Sequence, residues 1–144
     1  MSHWIILPVV LPALVAPFML MVLRHHLDLM RIFSVAATVA LVLISAGLAA
    51  DAATGRVTVY ELGAWPAPFG IVLVLDRLSA LMVLLTTLLA LAVLLHVIWS
   101  GWDRRGRHFH PLFQFQLMGV LGAFLTGDAF NLFVFFEVLL IASY

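Results

Sequence analysis

The sequence predicts an all-α integral membrane protein, a polytopic helix bundle of about five spans with a short external β-hairpin between the second and third. Three observations lead there. The 144 residues are 65% hydrophobic and 10% charged, with a mean hydropathy of +1.21, far above the apolar share of a water-soluble domain. The apolar residues gather into stretches close to the roughly 20 residues that a helix needs to cross a bilayer. The charges fall in the gaps between those stretches, with Glu137 as the exception.

Four stretches approach full length: residues 4–23, 32–50, 78–100 and 111–127. A fifth, 129–144, is too short to cross untilted, so the sequence is expected to continue. No Lys or Arg precedes the first stretch, which therefore lacks the basic start of a secretory signal and reads as a retained span. Its prolines, Pro8, Pro12 and Pro17, would each remove a backbone hydrogen bond and bend the helix, which neighbouring helices make tolerable in a membrane.

All seven cations are arginines, and their placement sets the expected orientation. Arg24 and Arg31 lie in residues 24–31, and Arg104, Arg105 and Arg107 in residues 101–110. Both segments are expected to be cytoplasmic. Residues 51–77 carry three acids against two arginines and are expected outside, with the N-terminus and the LTGDAF turn. Within that external loop, RVTVYELG alternates with period two, AWPAPFG is rich in turn residues, and IVLVLD is rich in β-branched residues and leucine, which together predict the hairpin. Asp76 suits the N-cap of the third span, and Arg77 the membrane interface.

Several functions are excluded early. Without cysteine there is no disulfide, thiol nucleophile or cysteine metal site. With zero formal charge there is no basic surface for nucleic acid. No histidine pair lies within a span, so no redox cofactor, metal site or catalytic residue is expected. Packing signals are helical instead. Gly119, Ala123 and Gly127 recur every four residues and would let another helix approach closely. In LTGDAFN, Gly127 suits a helix C′ position and Asp128 an N-cap, so the chain reverses with almost no loop.

Glu137 is the sharpest functional candidate. With the fifth helix starting near Ala129, it stands eight residues in, about 12 Å deep against a half-thickness of about 15 Å. A carboxylate at that depth costs on the order of 3 kcal/mol on insertion scales, so it must be protonated, paired or hydrated. No cation of this sequence is positioned to pair with it. It shares a helix face with Phe130, Phe133, Ile141 and Tyr144, and a carboxylate balanced between an apolar wall and an outside cation can take up and release a proton. His96 is a weaker candidate for the same pathway. Asn131, rotated by about 120° from Glu137, is expected to support the helix start or a neighbour. Gln114 and Gln116 are expected to bond between helices. Thr38, Ser45, Thr86 and Thr87 can bond to their own helix backbone.

The run FHPLFQFQLMGVLGAFLTGDAFNLFVFFEVLLIASY resembles the D subunit of the multisubunit Mrp-type Na+/H+ antiporters, and VYELGAWPAPFGIVLVLDRLSALM resembles its external loop and third helix. The resemblance extends over essentially the whole sequence. More broadly, the G-D-x-x-N-L-F-x-x-x-E section is similar to the proton-translocating membrane subunits of NADH dehydrogenase and membrane-bound hydrogenase. The resemblance implies that residues 1–144 are the N-terminal part of a single antiporter-like domain of about fourteen helices, built from two inverted five-helix repeats in a bacterial inner membrane. It implies partner subunits, exchange of H+ for Na+ or another monovalent cation, and a transporter rather than an enzyme. In the family the glutamate of the fifth helix pairs with a lysine of the seventh, and Glu137 stands at that position. The alternative is a proton-pumping subunit of an NADH-quinone oxidoreductase or hydrogenase complex.

Overall fold

The computed structural model describes residues 3–65 and 70–144. After a 3-10 turn at His3–Ile6 come α1 (Leu7–Val22), α2 (Leu27–Ala53), β1 (Thr58–Glu61), β2 (Val72–Leu75), α3 (Arg77–Ser100), α4 (Phe109–Leu125) and α5 (Ala129–Ser143), with short 3-10 turns at Leu62–Ala64 and Trp102–Arg104. Pro66 and Pro68 of the expected hairpin connection lie outside the described residues.

α1 with its preceding turn, α2 and α3 are each long and apolar enough to cross a membrane; α4 and α5 are apolar but shorter, at 17 and 15 residues. The 27 residues of α2 rise about 40 Å, more than the roughly 30 Å hydrocarbon core. Its start at Leu27 puts Arg31 on the helix, one turn in, where the sequence suggested a loop. Pro8 also departs from expectation. It sits in the first turn of α1, where its missing N–H has no intrahelical partner to lose, so only Pro12 and Pro17 stand inside the helix.

α1 packs against α2 and α4, α2 against α3, and α4 against α5. The shared core is apolar, with Leu41, Leu48, Val83, Leu117, Leu121 and Phe135 among its buried members. Two polar clasps cross it. Ser45 and Thr87 share a 2.8 Å hydroxyl hydrogen bond between α2 and α3, and each also donates or can donate to its own helix, at Val42 and Leu84 respectively. Between α4 and α2, the Gln114 amide lies 3.2 Å from the hydroxyls of Ser34 and Thr38 and 3.3 Å from the Ser34 carbonyl. Gln116, by contrast, is exposed.

The hairpin forms as the sequence indicates, antiparallel with Thr58 opposite Leu75 and Glu61 opposite Val72. It is also part of the bundle end. Leu73 and Leu75 are buried in the main core beside Leu125 and Ile5, and Leu73 makes a β-bridge with Thr126, while the Gly127 N–H donates to the Val72 carbonyl at 2.8 Å. The turn between α4 and α5 is thus docked on β2. Asp76 then starts α3 with a capping box: its carboxylate accepts from the Ser79 N–H at 2.6 Å, and the Ser79 hydroxyl accepts from the Asp76 N–H at 2.9 Å. Arg77 reaches back toward the Ala53 carbonyl at the end of α2.

Candidate functional site

α5 begins as expected. The Asp128 carboxylate caps it by accepting from the Phe130 N–H at 3.1 Å. Asn131, Phe135 and Ala142 are its buried side, turned to the rest of the bundle. That side is held close by small residues on α4. A methyl group on Gly119 would lie 2.9 Å from the backbone of Phe135 and Leu139, and one on Gly122 would overlap the Phe135 ring. Gly119 therefore serves the close approach assigned to it, and Ala123 packs on the core. Gly127 does stand one past the Thr126 C-cap, the C′ position, but its φ is not in the left-handed region, and it faces the hairpin rather than another helix, where an added methyl would meet Val74 at 2.5 Å. The glycine that completes the α4–α5 contact is Gly122.

Glu137 is two residues beyond Phe135, about 200° around the helix, and so points away from the bundle. It is exposed in this chain, on a face with Phe130 and Ile141, each 72% exposed, and with Phe133 and Tyr144. Among the described residues it has no hydrogen bond or ion pair. His96, on α3, is likewise exposed, and no hydrogen bond joins it to a described group. The fold does not bring His96 and Glu137 into a shared site. Asn131, buried at the first turn, is on a different face from Glu137, as its rotation implied.

A second cluster of charges lies at the end of the bundle opposite the hairpin. Asp103, in the turn between α3 and α4, is 1% exposed and accepts two hydrogen bonds from the Arg31 guanidinium, from Nε at 2.5 Å and Nη2 at 2.7 Å. It also accepts from His110 Nε2 at 3.1 Å. Arg31 has a further, outer neighbour in Asp28 at 3.5 Å. The guanidinium, with the imidazole as a smaller influence, outweighs burial and lowers the Asp103 carboxyl from its ordinary 3.8 to about 2. Asp103 is therefore ionised at neutral pH. Sequence reading misses this cluster because Arg31 and Asp103 are far apart along the chain, and Arg104 and Arg105 look like nearer partners. Arg105 instead stacks on Trp102, its guanidinium carbon 4.1 Å from the ring centroid. No group of three or more metal-ligating side chains occurs among the described residues.

No family model matches this sequence. Among curated relatives, the Na(+)/H(+) antiporter D subunit of Alkalihalophilus pseudofirmus is 46% identical over all of this chain and 29% of its own length. The probable K(+)/H(+) antiporter D subunit of Rhizobium meliloti is 48% identical over all of this chain and 28% of its own. Among solved structures, a chain of the Mrp complex from a Dietzia species covers the whole chain at TM-score 0.89 and 31% identity, using 27% of its own length. A chain of the membrane-bound sulfane sulfur reductase, an archaeal respiratory membrane complex, covers 99% at TM-score 0.90 and 28% identity, using 30% of its length. The relatives are named as transporter subunits rather than enzymes, and this chain spans less than a third of each. Its apolar helices and docked hairpin, with similarity along the whole of this chain, make it similar to a segment of the D subunits of these antiporters and to a chain of the Mrp complex.

Proposed function

We propose that this chain is part of a membrane subunit of a multisubunit monovalent cation/proton antiporter, in which Glu137 is a proton-carrying group inside the membrane. One observation carries the reading: Glu137 is the one carboxylate on an otherwise apolar, uncovered face of α5, with no counter-charge among the described residues. Its position eight residues from the helix start corresponds to about 12 Å of depth, near the middle of the hydrocarbon. A carboxylate there is stable only as an acid, beside a cation or in water, and switching among those states is what proton transfer requires. The names of the relatives support exchange of protons for Na+ or K+.

On this reading the counter-charge comes from a segment or subunit outside these residues. The N-terminus and residues 51–77 face outward, and residues 24–31 and 101–110 face the cytoplasm, as arginine placement supports. A redox-driven proton pump is the second reading, favoured by similarity to the respiratory complex; it would use the same carboxylate. Transport in everted vesicles tests both. In the intact complex, Glu137→Ala is expected to abolish cation-dependent proton movement without loss of subunit from the membrane, and Glu137→Asp to keep part of it. Wild-type rates in the alanine variant would reduce Glu137 to a packing group. Purifying the complex and identifying its companion subunits separates antiporter from redox pump.

A further inference from the structure

The Arg31–Asp103–His110 cluster continues inward along α4. His110 and Gln114 are one helical turn apart on the same face, about 6 Å along the axis, and both are buried, at 1% and 0% exposure. Each keeps one buried polar atom without a protein partner among the described residues: His110 Nδ1 and Gln114 Oε1.

Hydrogen-bond inventory fixes the character of both atoms. An ionised Asp103 can only accept, so His110 carries a proton on Nε2; burial holds the imidazole below its ordinary 6.5, and the neutral ring leaves Nδ1 as a bare acceptor. The Gln114 amide nitrogen is the atom surrounded by oxygens, those of Ser34 and Thr38; the Thr38 hydroxyl gives its own hydrogen to the Ser34 carbonyl at 2.8 Å and so accepts from the amide. That orientation leaves Oε1 as a second acceptor. Two buried acceptors cannot satisfy each other, and leaving either one unpaired forfeits its hydration with nothing in return. Both are enclosed by this chain itself, so a side chain from another subunit cannot reach them without displacing the α2–α4 seam.

We propose that a buried water molecule is bound between His110 and Gln114, donating one hydrogen to Nδ1 and the other to Oε1. Two hydrogen bonds through one water span about 5–6 Å, comparable to the axial rise that separates the two residues on α4. Two polar partners are at the low end of the usual number for a buried water. With it, a continuous hydrogen-bonded chain runs from Arg31 and Asp103 at the rim, through His110 and the water, to Gln114, Ser34 and Thr38, joining α2 to α4 along two levels of the bundle.

The intact complex provides the test. A map at a resolution that shows ordered waters is expected to hold one within hydrogen-bonding distance of both atoms; a dry gap, or a protein group on His110 Nδ1, overturns the proposal. X-ray hydroxyl-radical labelling gives a second measurement, because radicals formed from a bound water oxidise the side chain beside it. His110 is expected to be labelled despite its burial, and that labelling to be lost in Gln114→Leu while exposed His108 is labelled as before. An unlabelled His110 in the wild-type complex, or labelling that survives in Gln114→Leu, would equally refute the water site. Should Gln114→Leu fail to assemble, the wild-type map and wild-type labelling still decide.

Discussion

Asp103 and Glu137 are carboxylates set among apolar helices, and the chain treats them oppositely. Asp103 is buried at the arginine-bearing end with its counter-charge built in: two guanidinium hydrogen bonds, one from an imidazole, and the helices α2, α3 and α4 brought together around it. Glu137 is uncovered on α5, beside exposed Phe130 and Ile141, with no partner among the described residues. A carboxylate satisfied inside its own chain has little freedom to exchange partners and reads as architecture. One left unpaired on an apolar helix face is, under the function proposed above, completed from elsewhere, and that is where a transport role would reside.

The contrast predicts separable consequences. The largest is functional: Glu137→Ala is expected to remove transport altogether while leaving the subunit folded and assembled in the membrane, since its side chain touches no packed partner in this chain. Asp103→Asn should do the reverse. Losing the ionised acceptor takes the paired charge from Arg31, which is part-buried and keeps Asp28 as an outer neighbour, so the expected cost is about 1–3 kcal/mol, read as a lower melting temperature. If Asp103→Asn melts like the wild type while transport stops, the division drawn between the two carboxylates is wrong. The same pair has a pH signature. Because the folded carboxyl is lowered from 3.8 to about 2, its stabilisation is present above pH 4 and is lost as pH falls through about 2. Melting followed from pH 5 down to pH 2 should show this loss in the wild type and a flatter curve in Asp103→Asn.

Smaller effects test the frame that presents Glu137. Gly122→Val places carbon where the Phe135 ring lies, and overpacking of this kind costs about 1–3 kcal/mol. It is expected to push α5 outward, so that cysteine cross-links engineered between α4 and α5 form more slowly; unchanged cross-linking would show that the close approach is not obligatory. Asp76→Ala removes the capping box of α3 and is expected to cost about 1 kcal/mol, with transport retained.

Much of the fold can be read from spacing. The five helices, the paired arms of the hairpin, the Asp76 and Asp128 caps and the face of α5 that carries Glu137 all follow from residues within a turn or two of one another. Gly119 is legible for the same reason. Gly127 is legible as a helix end but not in what it meets: an added methyl would crowd Val74, on a strand that precedes it by two whole helices. Gly122 lies off the four-residue stripe and escapes notice, since nothing local says which ring it will meet.

What the sequence determined by itself is the set of membrane helices, the capped starts of α3 and α5 and the presence of a lone acid well inside the last, because hydropathy, helical period and capping chemistry act over short stretches of chain. Which charges meet was decided only by tertiary structure. Arg31 at the start of α2 finds Asp103 beyond the end of α3, and the α4–α5 turn finds β2, because the packing of apolar faces brings those groups together, and no local preference encodes which face will lie against which.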